Sequence, residues 1–315
     1  MIKRFAAAAL FIGVLGVFTT ASAQTVRFGA GQQGSQNYGV NAALAQAIDE
    51  RTELAATLQA FGGPTSYLPM LGSGELDMAA VVTPDFGDAV RGTGPFSDMP
   101  QETLRVVVPL FPSPVGLMVR ADSEIGSIAD LEGKRVAWGM PAQASLQPYL
   151  EGALANGGLT GDDVRPVPVA SVANGVAALV SGNVDATLFA LRGGAVVEAD
   201  AALGGIRWLP FDNSPEAVER MQAVAPEAYL VTVEGDAGVT GIPETMDTMA
   251  YDYVLVARGD LADETVAAVT KLLVDEGVAI AAKNNVLGAM DRETIQRPYP
   301  DLTFHPAAEA VLRGE

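Results

Sequence analysis

A seven-residue unit occurs twice in this chain and constrains its fold more than any other feature. Residues 71–77 and 179–185 both read leucine, any residue, serine, glycine, any residue, an apolar residue and aspartate, and they lie 108 residues apart. The glycine suits the left-handed position that ends a helix, and the apolar residue after it can pack back on that helix. Each copy runs into a buried strand, so the repeat predicts two similar lobes. We interpret both aspartates as turn-stabilising rather than functional.

Short apolar runs alternate with helical patterns around this repeat. Apolar residues at every fourth position between residues 37 and 48 predict a helix. Pro64 favours a first helical turn and predicts a second helix to about residue 71. The loop at residues 140–145 opens a predicted third helix to about residue 156, and residues 172–180 predict a fourth. The predicted strands are residues 26–29, 54–61, 78–82, 135–138, 164–169, 186–189 and 206–209. This alternation predicts an α/β fold with mostly parallel sheets covered by helices.

Two extended segments predict where the chain crosses between the lobes. Residues 116–122 and 253–260 share an apolar run that ends in arginine, any residue and aspartate. An amphipathic helix predicted at residues 264–282 follows the second crossing and can pack on the first lobe. We therefore predict two similar doubly wound lobes joined by a two-strand hinge. Lobe 1 is residues 24–113 plus 249–315, and lobe 2 is residues 114–248.

The N-terminus predicts export. Lys3 and Arg4 precede an uncharged apolar run at residues 5–18, and residues 21–23 form a small-x-small cleavage pattern. This layout is typical of a secretory signal peptide at residues 1–23. The apolar run is shorter than the roughly 20 residues of a membrane-spanning helix, so a retained anchor is the weaker alternative. We expect a soluble mature protein in the periplasm that begins near Gln24.

The composition excludes several classes of function. The formal net charge of −19 opposes binding to nucleic acid and to anionic lipid, and it makes an anionic ligand depend on a locally positive or dipolar pocket. The chain has no cysteine and a single histidine, His305, which we interpret as a surface or capping residue. Serine–histidine catalysis and histidine-rich metal sites therefore lack their residues. We predict no enzyme activity, no catalytic residue, no metal and no cofactor.

The middle of the chain resembles a known receptor family. Residues 108–123 and 128–136, with Gly62, Gly63 and the ending at residues 305–308, are similar to TAXI-type solute-binding proteins of TRAP transporters. The resemblance covers essentially the whole mature chain. It implies the type II periplasmic binding protein fold, a ligand cleft between the lobes and delivery to a TRAP-type membrane permease. Known members often take glutamate, glutamine or dicarboxylates, including oxoacids.

Two loops depart from the family pattern. In the first loop the family commonly has a glycine pair and a tyrosine pair, whereas residues 34–39 of this chain contain neither pair. In the second loop the family commonly follows its Gly-Gly with serine and a Glu-Asn pair, whereas residues 64–67 of this chain are proline, threonine, serine and tyrosine. We therefore expect a small carboxylate, such as an amino acid, oxoacid or dicarboxylate, without choosing among them. The first alternative is an NMT1-like receptor of an ABC transporter. An enzyme on the same fold and a signalling or scaffold protein are weaker alternatives. A monomer is the default.

In α/β sheets of this kind, ligands lie beyond the carboxyl ends of the strands, next to helix N-termini. Backbone N–H groups at a helix start favour anions, and glycines let the backbone approach a ligand closely. The candidate ligand-binding residues in such loops are Gln33, Gly34, Ser35, Tyr38, Gly63, Thr65, Ser66, Thr83, Asp85, Met140, Gln143, Ser145 and Arg192.

Arg192 is the best candidate for binding a ligand carboxylate, because a guanidinium can donate two parallel hydrogen bonds to a carboxylate. The alternative role for Arg192 is a surface salt bridge. Asp85 could accept from a ligand amine or cap the helix after Pro84. Tyr38 could cover an apolar part of the ligand or pack on its helix. The hydroxyl groups of the candidate loops favour helix capping over direct binding. The predicted mechanism is closure of the hinge on a ligand held by both lobes.

Overall fold

The computed structural model describes residues 24–226, 228–235, 238–287, 290, 292–295 and 302–314. The predicted signal peptide, residues 1–23, lies outside this part of the chain. Within the described part, no helix combines the length and apolar character needed to span a bilayer.

The described part of the chain contains ten strands and ten α-helices, besides short 3-10 helices and loops. The strands are β1 Thr25–Ala30, β2 Ala55–Ala60, β3 Met78–Val82, β4 Leu104–Arg120, β5 Arg135–Gly139, β6 Arg165–Val169, β7 Ala186–Ala190, β8 Ile206–Trp208, β9 Tyr229–Val233 and β10 Met246–Arg258. The helices are α1 Gln36–Arg51, α2 Pro64–Gly72, α3 Thr83–Arg91, α4 Gln147–Asn156, α5 Val172–Val180, α6 Gly194–Leu203, α7 Pro215–Val224, α8 Asp263–Ala281, α9 Arg292–Ile295 and α10 Pro306–Leu312.

The strand order shows two lobes of the same design. In the first, β1 lies parallel between β2 and β3, and β10 pairs antiparallel with β3. In the second, β5 lies parallel between β6 and β7, and β4 pairs antiparallel with β7. The chain therefore has the predicted α/β architecture of two similar doubly wound lobes.

The two long strands form the hinge. The first part of β4 pairs antiparallel with the last part of β10, from Leu104 opposite Arg258 to Val115 opposite Met249. Beyond this stretch, β4 continues beside β7 and β8, and the first part of β10 pairs with β9. Both strands thus belong to the sheets of both lobes, so any motion of one lobe relative to the other bends these two segments.

The central strands β3 and β4 are buried on both faces. In β3, Met78, Ala80 and Val82 face one apolar cluster, whereas Ala79 and Val81 face another. In β4, Leu117 and Met118 divide in the same way between two clusters. Such continuous apolar strands are typical of parallel sheets with helices on both faces.

Polar side chains determine where several helices begin. The Ser35 hydroxyl accepts a hydrogen bond from the backbone N–H of Tyr38 at 3.1 Å and caps α1. The Ser171 hydroxyl caps α5 in the same way through Asn174. His305 is buried and caps α10, with its Nδ1 accepting from the N–H of Ala307 at 3.3 Å. The capping interpretation of Ser35 is therefore confirmed. His305 caps its helix as predicted, but it is a buried residue and not a surface one.

Candidate ligand-binding cleft

The loops that follow the parallel strands of both lobes meet across a narrow gap. The Ala195 N–H, at the start of α6, donates a hydrogen bond to the Gly34 carbonyl at 2.9 Å. On another part of the gap, the Thr65 hydroxyl donates to the Ala142 carbonyl at 3.3 Å. The Ser171 hydroxyl donates to Oε1 of Gln32 at 3.0 Å. These contacts between loops of the two lobes define a closed arrangement.

Gly63 marks the closest approach in this gap. A Cβ atom at this position would lie 2.1 Å from the Ala142 carbonyl oxygen and 2.7 Å from Nε2 of Gln143. Gly63 has an extended backbone, with φ of 169°, which any residue can adopt. A side chain is therefore excluded by the opposite loop alone, so this glycine is needed only when the loops are together.

The closed loops enclose a small cavity, in which the centres of water molecules fit within about 50 Å³. Its walls come from both lobes and from both hinge strands. The lining residues are Gly31, Ser35, Gln36, Asn37, Pro64, Val82, Asp85, Val115, Gln143, Leu146, Val172, Leu188, Phe189, Ala190, Tyr251 and Tyr253. Such an enclosed space with a few polar groups among apolar ones is typical of a ligand site.

The amide side chains of the cavity are held by the protein itself. The Asn37 Nδ2 donates to the Ala80 carbonyl at 2.8 Å, and its Oδ1 accepts from the Gly31 N–H at 2.6 Å. The Gln143 Oε1 accepts from the N–H of Val172 at 3.2 Å. Gln36 accepts a hydrogen bond from the buried Ser113 hydroxyl at 3.0 Å. These bonds position the wall and use much of its hydrogen-bonding capacity.

Asp85 is the one acidic residue of the lining, and none of the lining residues is basic. It lies in the first turn of α3, is 1% exposed, and its Oδ1 has no hydrogen-bond partner. Burial raises the pKa of Asp85 to about 7, with a further increase from Asp88 and an opposing effect of the nearby Ser145 hydroxyl. The Ser145 hydroxyl also has no hydrogen-bond partner. Asp85 does not cap α3, whose N-cap residue is Val82.

Two tyrosines of hinge strand β10 complete the wall. The ring of Tyr253 stacks on Phe111 with centroids 5.2 Å apart, and the ring of Tyr251 meets Tyr149 edge-to-face at 5.2 Å. Burial raises the pKa of both tyrosine hydroxyls, so both are neutral at physiological pH. Tyr251 and Tyr253 are two positions apart in an extended segment, and this spacing was the available signal that both face one side.

The predicted site residues fall into three groups. Ser35, Asp85 and Gln143 line the cavity. Gly34, Gly63 and Thr65 lie at the contacts between the lobes, and Ser145 lies beside Asp85. The remaining residues are not among the cavity lining: Gln33, Tyr38, Ser66, Thr83, Met140 and Arg192. Sequence reasoning did not select Gln36, Asn37, Phe189, Tyr251 or Tyr253.

Arg192 follows the end of β7 and is half-buried. Within the described part of the chain, its guanidinium forms no salt bridge, and burial lowers its pKa. Its proposed contact with a ligand carboxylate stays a prediction. The described residues contain no group of three or more histidine, cysteine or acidic side chains arranged to hold a metal ion.

The NMT1-like family matches residues 28–314, which is nearly the whole described chain. The chain belongs to the NMT1-like family. Solved structures of periplasmic binding proteins share its fold. A structure described as a periplasmic transporter is 12% identical with a TM-score of 0.60, and the match covers 93% of each chain.

Two further structures support the same fold assignment for this NMT1-like protein. PhnD1 from Prochlorococcus marinus (MIT 9301), in complex with methylphosphonate, is 12% identical with a TM-score of 0.56 over 85% of this chain and 91% of that one. The ligand-binding component of an ABC-type import system from Staphylococcus aureus, with zinc bound, is 16% identical with a TM-score of 0.52 over 92% and 89%. At these identities the likeness shows the fold alone.

Proposed function

We propose that this NMT1-like protein is an extracytoplasmic solute receptor, which closes on a small ligand between its lobes and delivers it to a membrane transporter. The small cavity built from both lobes and both hinge strands, with a few polar groups among apolar ones, carries this proposal. The lobes we propose are residues 24–113 plus 249–315 and residues 114–248. A periplasmic location is part of the proposal, because the fold is that of periplasmic binding proteins and residues 1–23 have a signal-peptide pattern.

The binding mechanism that we propose is hinge closure. A ligand that contacts both walls stabilises only the closed arrangement, so it shifts the population of lobe orientations toward that form. The transporter can then distinguish the loaded from the empty receptor by the distance between the lobes. This role requires no chemical step, and the cavity offers neither a metal cluster nor a nucleophile–base pair among its lining residues.

The comparisons favour an ABC-type transporter as the partner. The chain belongs to the NMT1-like family, and a structure of the same fold is a component of an ABC-type import system. A TRAP-type permease is the second candidate, supported by the resemblance of residues 108–136 to TAXI-type receptors. Uptake assays in cells that carry the receptor and its permease distinguish the two. An ionophore stops TRAP-driven uptake, whereas ATP depletion with an intact ion gradient stops ABC-driven uptake.

A carboxylate ligand has limited support from the cavity. None of the lining residues is an arginine, lysine or histidine. A carboxylate would therefore depend on the helix starts around the cavity or on Arg192 outside the lining. Neither the family nor the fold identifies the ligand, so its class is argued separately below.

Gly63→Ala tests hinge closure. The added methyl group collides with the loop at Ala142 only in the closed form, so we expect the variant to fold normally and to bind its solute at least about tenfold more weakly. Gly62→Ala is the matched control, because a Cβ there meets only the Ser66 hydroxyl at 4.0 Å. A thermal-shift screen of amino acids, amines, oxoacids and dicarboxylates supplies the solute, and X-ray scattering measures the radius of gyration with and without it.

The expected result is a solute-dependent decrease in the radius of gyration for the wild-type protein and Gly62→Ala, and none for Gly63→Ala at the same solute concentration. If solute decreased the radius of gyration of Gly63→Ala as much as that of the wild-type protein, the proposed mechanism would be contradicted. It would also be contradicted if no solute decreased the radius of gyration of the wild-type protein.

A further inference from the structure

We infer that the solute carries a protonated amine, and that the Asp85 carboxylate accepts hydrogen bonds from this amine inside the closed cavity. This inference rests on the proposed receptor function and gives the class of its ligand. It starts from one observation: Asp85 belongs to the cavity lining, is buried, and has a carboxyl oxygen, Oδ1, without a hydrogen-bond partner.

An unpartnered carboxylate oxygen is costly in a buried position. Asp85 is 1% exposed, and no arginine, lysine or histidine lines the cavity beside it. Buried charges in proteins are normally paired or hydrogen-bonded, since desolvation without compensation costs several kcal/mol. Asp77, by contrast, is also buried and is bound by two arginines. The nearby Ser145 hydroxyl carries no charge, so a positive charge beside Asp85 has to come from a ligand. An ammonium group supplies both that charge and hydrogen-bond donors.

The aromatic wall fits the same ligand. Phe189, Tyr251 and Tyr253 line the cavity together with Asp85. The negative faces of aromatic rings attract cations. The stacking of Tyr253 on Phe111 and the edge contact of Tyr251 with Tyr149 fix both rings before a ligand arrives. A carboxylate close to Asp85 would be repelled by its negative charge.

The charge of the surroundings also favours a cation. Asp88 lies one turn further along α3, and its negative charge contributes to the raised pKa of Asp85. The whole chain has a formal charge of −19, so its field attracts cationic solutes and repels anionic ones.

A neutral Asp85 that donates a hydrogen bond to the ligand is the competing explanation, and pH separates the two. The groups that face Asp85 are Asp88 on its own helix, Ser145 before α4, Tyr67 of α2, and Tyr251 and Tyr253 of β10. The tyrosines stay neutral because burial raises the pKa of each hydroxyl. Burial raises the pKa of Asp85 itself to about 7, so the charge of Asp85 changes near neutral pH. As pH rises and Asp85 loses its proton, the affinity for an amine rises. The affinity for a ligand that accepts a hydrogen bond from neutral Asp85 falls.

Calorimetry with paired solutes tests the inference. One member of each pair carries an amine and the other lacks it: primary amines of two to five carbons against the matching alcohols, and amino acids against the corresponding deamino acids. We expect binding only to amine-bearing members, with affinity rising about tenfold or more between roughly pH 5.5 and 8.5. We expect Asp85→Asn to weaken that binding by about tenfold or more and to abolish its pH dependence, since the charge-assisted bond is lost.

Asp88→Asn is the matched control, because it removes an acidic charge from the same helix outside the cavity lining. We expect it to keep the preference for amines and the pH dependence, with the midpoint displaced to lower pH because the negative charge of Asp88 no longer raises the pKa of Asp85. The wild-type pH profile needs no variant, so the test remains decisive even if a substitution impairs folding.

Two results overturn the inference alone: an amine-free member that binds as tightly as its partner, or an affinity that falls as pH rises. Either leaves the receptor function standing, because a solute still closes the lobes. A wild-type protein that binds no member of any pair and is compacted by no solute contradicts the proposed function itself.

Discussion

Burial raises the pKa of the Asp85 carboxyl to about 7, so this residue is about half ionised at neutral pH. The ordinary value for an unfolded chain is about 4. Between these two values the folded protein holds a proton that the unfolded chain has released. The free energy of unfolding therefore falls as pH rises from about 4 to about 7, and the stabilisation due to the protonated form is lost above that range.

Replacing this residue should stabilise the empty protein at alkaline pH. Asp85→Asn keeps the size of the side chain and removes the charge, so we expect the variant to exceed wild type by about 2–4 kcal/mol in the free energy of unfolding near pH 8. The difference should shrink to near zero at about pH 4. Urea unfolding at a series of pH values measures it. A difference that does not change with pH would show that Asp85 titrates normally.

Residue identity predicts only part of the cavity. Ser35, Asp85 and Gln143 lie just after strand ends, where a ligand is expected from topology alone, and all three line the cavity. Tyr251 and Tyr253 lie inside a hinge strand, and the side of a strand that they face depends on its register. The register between β4 and β10 shifts between Tyr253 and Val254. Since a shift of one residue exchanges the two faces of a strand, the sequence pattern cannot assign them.

At the scale of the elements, the repeated unit has the same hydrogen bonds in both lobes. Asp77 Oδ2 accepts from the backbone N–H and Nε of Arg27, at 2.9 and 2.8 Å. Asp185 Oδ2 accepts from the same two groups of Arg135, at 2.8 and 3.1 Å. Each arginine also donates to the carbonyl of the glycine in the unit, Gly74 or Gly182. Each aspartate thus joins the turn between a helix and a strand to the neighbouring parallel strand, β1 for Asp77 and β5 for Asp185. Both aspartates stabilise turns, as the sequence predicted.

The two copies should differ in their contribution to stability. The Asp77 side chain is 5% exposed and also binds Arg258 at 3.1 Å, whereas the Asp185 side chain is 28% exposed. Removing one partner from a buried ion pair lowers the free energy of unfolding more than removing one partner from an exposed ion pair. We expect Asp77→Asn to lower the free energy of unfolding by about 3 kcal/mol and Asp185→Asn by about 1 kcal/mol, measured by urea unfolding at pH 7.

The pH dependence of this effect has the opposite sign to that of Asp85. Burial alone would raise the pKa of Asp77, but the hydrogen bonds from Arg27 and Arg258 outweigh it and hold the pKa below its usual range. Its stabilisation is present above about pH 4 and is lost as pH falls through the lower folded value. The deficit of Asp77→Asn should therefore shrink in acid. Equal deficits for the two substitutions at pH 7 would contradict the ranking.

Local patterns predicted the central elements well. The predicted strand at residues 78–82 and helix at residues 172–180 coincide with β3 and α5. β9 and α7 were not predicted. β9 is a half-buried run of aromatic, apolar and β-branched residues, a composition that favours a strand. It pairs antiparallel with β10, the next strand of the chain.

At the scale of the whole molecule, contacts between the loops of the two lobes bridge the gap in which the cavity lies. Gly34 meets Ala195, and Gly63 meets Ala142 in another part of the gap. In the proposed receptor, exchange of a solute occurs when β4 and β10 bend and these loops separate, so the protein alternates between two lobe orientations.

A disulfide across the gap tests this alternation. A Cβ built on Gly34 lies 4.0 Å from the Cβ of Ala195, within the range that a disulfide spans. The chain has no other cysteine to compete. Cysteine at the positive φ of 88° of Gly34 costs roughly 1–2 kcal/mol, which the loop tolerates if the lobes themselves stay folded.

We expect the double variant Gly34→Cys, Ala195→Cys, oxidised without solute, to bind none of the solutes that the wild-type protein binds, and to recover binding after reduction. Oxidised with solute present, it should retain that solute through gel filtration. Ala195→Cys alone, treated identically, is the control and should exchange solute freely. Because the bond joins the lobes without touching the cavity wall, its effect depends on motion rather than on contact. If the oxidised double variant exchanges solute as fast as the control, the solute does not enter by separation of the lobes.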